Sequence, residues 1–334
     1  MLPTIKTIIA TAEIIIITFV TLYDSFLKHI NQQLARTFLF LCKLNSKIHL
    51  KSLDDNSLIY VPNFKLMTKE ISPKQAKAFH KKIFTWWDKN KRSFPWRDTD
   101  DPYKILVSEV MLQQTQTTTV ISKFNEFIEK YPDAESLAKA PKQEVLSLWS
   151  GLGYNRRALW LQEAAQQLSK MEDFPKSPKE LQKLKGIGKY SASSILIFAF
   201  NQELATVDTN IRRILITEGF AKEDTAEKEL FHIAEQLLPK GKSRDWHNAL
   251  MDYGAVYLTA SVTGISPTTK QPKFKGSDRE KRGKILKYLI DNNKTTFSVL
   301  EGLLDCDSEQ LKSILDKMIK DGLIVKQGKN YLIE

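Results

Sequence analysis

The stretch LKGIGKYSAS, residues 184–193, sets two glycines one residue apart between segments that both read as helix. Upstream, Ser177-Pro178-Lys179-Glu180 has the form of a capping box with proline inside it, opening a short helix that ends at Gly186. A turn of this kind aims backbone N–H groups at whatever approaches the next helix N-terminus, and a phosphate oxygen suits them. Glycine supplies both the positive-φ freedom and the close approach such a turn needs. The same residues also satisfy an ordinary helix C-cap, so the turn alone does not assign a ligand. A dinucleotide-binding reading of Gly186 and Gly188 fails, because no strand precedes them and no third glycine follows.

Outward from that turn the chain reads as helix almost throughout. Ser72-Pro73 and Asp101-Pro102 each pair an N-cap residue with proline at the first helical position. Val120, Ile121, Phe124, Phe127, Ile128 and Tyr131 recur at the spacing of one buried helical face, after a run, TQTTT, whose β-branched residues weaken helix. Pro141 starts another helix, and GLGY (151–154) turns the chain into NRRALWLQEAAQQL. Many short helices without alternating strands predict an all-α pair of domains over about 72–260 rather than a doubly wound sheet.

The chain has 334 residues, room for roughly two or three domains. A formal charge of +11 points to a polyanionic partner, nucleic acid or anionic lipid. The cysteines are Cys42 and Cys306 alone, which excludes a disulfide framework and an all-cysteine metal site. The histidines show no ligand spacing, so no metal is expected. Glu13 interrupts the apolar run TIIATAEIIIITFVTLY (7–23) and leaves it short for a membrane span. Residues 1–66 are therefore expected to be an upstream extension, with Met67 as the natural start; a membrane becomes a partner only if 7–23 is an anchor.

At the other end, SPTTKQPKFKGSDREKRGK (266–284) gathers Lys270, Lys273, Lys275, Arg279, Lys281, Arg282 and Lys284 against Asp278 and Glu280. A helix over about 279–292, a shorter one over about 297–304 and a third capped by Asp307 follow. GLIVKQGKNYLIE then alternates about a turn, as a β-hairpin does. That order is the order of a winged helix-turn-helix, a module that binds DNA or protein.

Five blocks occur in order: SFPWRDTDDPYKILVSEVMLQQTQTTTV (93–120), LWSGLGYNRRA (148–158), LKGIGKYSA (184–192), VDTNIRRIL (207–215) and ALMDYGA (249–255). Together they resemble the helix-hairpin-helix (HhH-GPD) DNA glycosylases, most closely the MutY-type adenine glycosylases, over roughly residues 75–260. The resemblance implies an enzyme that flips a nucleotide out of the duplex and cuts its N-glycosidic bond. Breaking that bond places positive charge on the sugar and negative charge on the base, so an acid and a carboxylate are needed. The resemblance assigns these roles to Glu109 and Asp208. Without it, Glu109 is one helix carboxylate among many and Asp208 reads as an N-cap.

Further roles are implied in the same way. Tyr190 stands where lyase relatives carry the lysine that forms a Schiff base, which implies base removal without strand cleavage. Lys189 is adjacent but points elsewhere. Asn210 accompanies Asp208. Gln114 and Tyr154 match residues that wedge into the base stack, and Trp96, Arg97, Leu112 and Asp252 match the lining of the base pocket. Arg156 and Arg157, with Gly186, Gly188 and Lys189, match residues that touch DNA.

The chain also departs from that family. The four cluster-ligating cysteines usual after ALMDYGA are missing from VYLTASVTGISPTTKQPKF, so no iron–sulfur cluster or other cofactor is expected. Lys270, Lys273 and Lys275 are candidates to meet DNA phosphates in place of a cluster-bearing loop. Where relatives carry a nucleotide-hydrolase-like domain, the winged-helix-like module is expected instead. The expected organisation is an extension (1–66), one helical domain from 67–102 and 203–265, a six-helix-type domain with the hairpin (103–202), a basic linker (266–278) and a winged-helix-like domain (279–334). The expected activity is monofunctional removal of adenine opposite 8-oxoguanine or guanine in double-stranded DNA, by a cytoplasmic, nucleoid-associated monomer. A thymine or uracil mismatch glycosylase and a non-catalytic DNA-binding protein are the alternatives.

Overall fold

The computed structural model describes residues 70–267 and 272–334. The apolar run 7–23, Met67 and Lys270 lie outside the described residues. Helix α1 (Pro73–Asn90) starts as its sequence dictates: the Ser72 hydroxyl accepts from the Gln75 amide while the Gln75 side chain accepts from the Ser72 N–H, with Pro73 at N1. Helix α2 (Pro102–Leu112) repeats the device, with Asp101 accepting from the Tyr103 and Lys104 amides. Helix α3 spans Thr117–Lys130, so the chain breaks between α2 and α3 at 113–116, where the run begins, and only its last three threonines are helical. The threonines fill the first turn and Val120, Phe124 and Phe127 behind them are buried; that packing outweighs a weak local propensity.

Short helices α4 (Ala134–Ala138), α5 (Lys142–Leu148), α6 (Arg156–Leu168) and α7 (Pro178–Leu181) lead to α8 (Lys189–Phe200). Helix α8 is buried nearly all round, and its small residues Ser191, Ala192, Ser193 and Ser194 let it approach α2 closely. These helices share one hydrophobic core around Leu106, Phe127, Trp149, Leu161 and Ile195.

A second core forms where the chain returns. Helices α9 (Thr209–Thr217), α10 (Glu227–Gln236) and α11 (Ser243–Asp252) pack with α1 around Ile83, Ile214, Ile233, Trp246 and Tyr253. Helix α11 continues as a π-helical turn over Tyr253–Tyr257, and α12 (Ala260–Thr263) follows. Residues 91–101 and 201–208 cross from one core to the other, so a cleft between them is bordered by α2, α8, α9 and α11.

The C-terminal module is winged-helix-like: α13 (Asp278–Asn292), β1 (Lys294–Thr296), α14 (Phe297–Leu303), α15 (Ser308–Lys320), β2 (Val325–Gln327) and β3 (Asn330–Leu332). The strands form one antiparallel sheet, β1-β3-β2, with Tyr331 opposite both Thr295 and Lys326. Ile285, Leu289, Ile314 and Tyr331 join the same core as the α2–α8 helices. Across that junction Gln143 donates to the Ile290 carbonyl at 3.2 Å and Asp321 pairs with Arg156 at 3.1 Å, while Arg282, within the module, holds the same carboxylate at 2.5 Å. The module is thus seated on the α2–α8 core.

Candidate active site

The cleft closes over a cavity of about 290 Å³, at the small end of the range for ligand pockets. Glu109 from α2, Tyr190 from α8, and Asp208 and Asn210 at the start of α9 all line it, with Trp96, Arg97 and Leu112. Carboxylates 99 residues apart in sequence therefore open onto one space (208 − 109). Each keeps part of its surface open to the cavity while protein atoms surround the rest.

That setting governs their protonation. Loss of solvent pushes the Glu109 carboxyl up to about 7, and the negative charge of Asp208 adds to the shift. Ser194 is fully buried one helical turn beyond Tyr190 and lies beside both Tyr190 and Glu109. Its proximity favours their ionised forms, but its hydroxyl makes no hydrogen bond of ordinary geometry. The Tyr190 phenol is held well above its ordinary range, chiefly by burial and then by the neighbouring carboxylates, and stays neutral.

Asp208 is both an N-cap and a cavity residue. Its Oδ1 accepts from the Ile211 amide at 2.7 Å and its Oδ2 from Asn210 Nδ2 at 2.9 Å. Burial raises its carboxyl, while these donors and, more weakly, Arg213 act in the opposite direction. Arg213 also fixes Asn210: its Nη2 donates to Asn210 Oδ1 at 2.6 Å and to the Gly254 carbonyl at 2.7 Å. A side chain at Gly254 would place its Cβ 2.7 Å from Asn210 Cβ, so glycine lets the π-helical turn press against the asparagine that holds Asp208. This device is legible in ALMDYGA only once its partner is known.

Other sequence-assigned residues lie elsewhere. Asp252 does not line the cavity. It is completely buried behind Arg97, which donates to it at 2.9 and 3.0 Å, with Arg92 Nε at 2.6 Å and Trp87 Nε1 at 3.0 Å. These cations hold its carboxyl below the ordinary range despite burial. Asp252 therefore sets Arg97, and Arg97 faces the cavity.

Arg157 does not reach toward a phosphate either. It is 5% exposed, and its Nη1 donates to the carbonyls of Val110, Met111 and Gln113 at 2.7, 2.9 and 2.7 Å. Its Nη2 donates to Thr115 Oγ1 and to the Leu152 and Gly153 carbonyls. A guanidinium thus satisfies the carbonyl end of α2 and ties it to the GLGY turn. Arg156 is exposed but pairs with Asp321 and stacks on Trp160. Gln114 and Tyr154 stand on these two tied turns, both at positive φ, +56° and +45°.

In the opening hairpin, Gly186 has φ +78° and a Cβ there would lie 2.9 Å from Trp160 Cβ. Gly188 is the N-cap of α8 with φ −86° and open space around it, which favours close approach by a ligand rather than an unusual backbone. Gly186→Ala should therefore cost about 1–3 kcal/mol in denaturant unfolding, and Gly188→Ala distinctly less. Lys189 turns away from the cavity, its Nζ 4.5 Å from the centre of the Phe231 ring.

Sequence reading missed Ser194, Arg92, Arg244 and Asn248, the last three of which also line the cavity. Ser194 had a signal: it lies four residues after Tyr190, on the same face of α8. Among the described residues no group of three or more His, Cys, Asp or Glu side chains is arranged to hold a metal ion. The stretch after α11 offers Val256, Tyr257 and Val262 to solvent and has no thiol, so its residues do not fit a four-cysteine cluster.

The sequence pattern of the HhH-GPD superfamily of base excision DNA repair proteins matches residues 107–240. The chain is similar to an adenine DNA glycosylase of Mycolicibacterium smegmatis, 33% identical over 266 residues that cover 72% of this chain and 91% of that protein. It is similar to the mouse adenine DNA glycosylase, 34% identical over 225 residues, 62% of this chain and 43% of that longer protein. Among solved structures, a thermostable thymine-DNA glycosylase superposes with a TM-score of 0.52 at 33% identity, over 57% of this chain and 94% of that one.

Proposed function

Because this chain belongs to the HhH-GPD superfamily of base excision DNA repair proteins, we propose that it hydrolyses the N-glycosidic bond of an adenine turned out of duplex DNA. The partner base across the helix is 8-oxoguanine or guanine. The observation that carries the reading is the shared cavity of Glu109 and Asp208.

Glu109, raised to about 7, is protonated in about half of the molecules at neutral pH, and the protonated form hands its proton to a ring nitrogen of the base. The C1′–N bond then breaks with its electrons leaving on the base. Ionised Asp208, oriented by Asn210 and the Ile211 amide, faces the positive charge that grows on the sugar. Water adds to C1′ and its proton passes to a cavity carboxylate. Tyr190 has no amine, so no Schiff base forms there, and the product is an intact strand with an abasic site.

A duplex panel with A opposite 8-oxoguanine, A opposite G, T opposite G and U opposite G tests this directly. Adenine release from the first two, with strand breaks only after alkali, is expected. Release of thymine or uracil instead would favour the second reading, which the likeness to the thymine-DNA glycosylase supports. Strand breaks without alkali would contradict the assignment of Tyr190.

The pH dependence follows from the two carboxyls. Glu109 must be protonated, so the single-turnover rate should fall as pH rises through about 7. Asp208 must be ionised, so the rate should fall again in acid, with a midpoint above the ordinary aspartate value. A rate rising through pH 7–9 would exchange their roles.

A further inference from the structure

A second, larger space of about 910 Å³ lies between the α2–α8 core and helix α13 of the C-terminal module. It shares a wall with the catalytic cavity. Gln113 and Thr115 line both, so the turn after α2 has the reaction on one side and this groove on the other. The groove also takes in Gln114 and Tyr154 at positive φ, the kind of strain that clusters at binding sites.

Its chemistry suits a nucleobase. Phe274 is 58% exposed and Tyr154 36%, both large for solvent-facing aromatics. Between them stands Arg279, whose guanidinium carbon is 5.4 Å from the Tyr154 ring centre and 5.9 Å from that of Phe274. Arg279 is held in place, with Nη1 donating to the Tyr154 hydroxyl at 2.9 Å and Nη2 to the Pro272 carbonyl at 2.6 Å. Aromatic faces with an interleaved guanidinium form a stacking platform for bases, and the planar fork can also donate to a base edge.

Resting on the reading of this chain as a glycosylase, we infer that this groove receives the nucleotide opposite the extruded base. Phe274, Arg279 and Tyr154 are its recognition platform. Paired bases face each other across the helix axis. When one is drawn into the cavity on one side of the Gln113–Thr115 turn, its partner is left unpaired on the other side, where the groove lies. The C-terminal module thereby supplies specificity for the opposite base through Phe274 and Arg279.

The test measures single-turnover adenine excision opposite 8-oxoguanine, G, C and an abasic site, in the unaltered protein and in Phe274→Ala, Arg279→Ala and Phe274→Tyr. Each rate is divided by that protein's rate on the abasic-opposite duplex, which offers no base to stack. The expected result is that the normalised preference for 8-oxoguanine over C falls about tenfold or more in both alanine variants and is largely kept in Phe274→Tyr. Both alanine substitutions are at the groove surface, and melting curves confirm folding. An unchanged preference overturns the inference, as does uniform slowing on all four duplexes, which would mark a sequence-blind phosphate contact. Failure of the parent reading shows separately, as an absence of adenine release by the unaltered protein on every duplex.

Discussion

Glu109→Gln is expected to slow single-turnover adenine excision by about 10²–10⁴-fold, the usual contribution of a positioned proton donor. The amide keeps the shape of the side chain but has no proton to give at the transition state. Asp208→Asn should lose a comparable factor for a different reason. It removes the negative charge facing the sugar while Asn210 and the Ile211 amide still hold position 208. The two losses should be far from additive, because acid and counter-charge serve one bond-breaking event. Binding of a duplex with a non-cleavable adenine should change much less than the rate in either variant. Loss of binding in step with rate would mean that these residues shape the cavity rather than carry the reaction.

The second large effect is on stability. Arg157→Ala strips hydrogen bonds from the carbonyls of Val110, Met111, Gln113, Leu152 and Gly153 at one stroke. With buried acceptors costing about 1–3 kcal/mol each when unsatisfied, and water reaching some of them, a loss of roughly 3–5 kcal/mol is expected. That corresponds to a fall in Tm on the order of 10 °C for a unit of this size. Arg156→Ala, on the same helix, removes a partly exposed ion pair and should cost about 1 kcal/mol or less. Lysine at 157 should rescue poorly, since one ammonium cannot span the two turns that the guanidinium joins. Similar losses in the two alanine variants would refute the distinction drawn between neighbouring arginines.

Where the determinants were local, the sequence was legible. The caps at Ser72, Asp101 and Asp307 work through residues two or three positions away. The C-terminal helices α13 to α15 and the β2–β3 hairpin fall where periodicity and the turn at Gly328 put them. Strand β1 was not seen, because three residues between helices carry no alternation and owe their extended form to pairing with β3.

Site residues divide along the same line. Glu109 and Asp208 were found through the resemblance, since nothing local brings a residue of α2 to the cap of α9. The burial of Asp252 was hidden because its partners Arg92 and Arg97 lie 160 and 155 residues away. The burial of Arg157 is legible in the sequence, against its expected place at a phosphate. It sits on the stripe of Leu161, Ala164, Ala165 and Leu168, the buried face of α6, while Arg156 lies off it. Lys281 behaves in the same way: gathered with the basic residues of 266–284, it is 9% exposed and donates to Gln310 at 2.8 Å.

A crystal structure of the Glu109→Gln protein on a duplex with a single adenine opposite 8-oxoguanine bears most directly on the pairing of these carboxyl positions. The adenine should lie inside the 290 Å³ cavity, a ring nitrogen within hydrogen-bonding distance of the side chain at 109 and C1′ facing Asp208. An adenine seated in the cavity with Asp208 turned from its sugar, or one held in any other pocket of the protein, would contradict it.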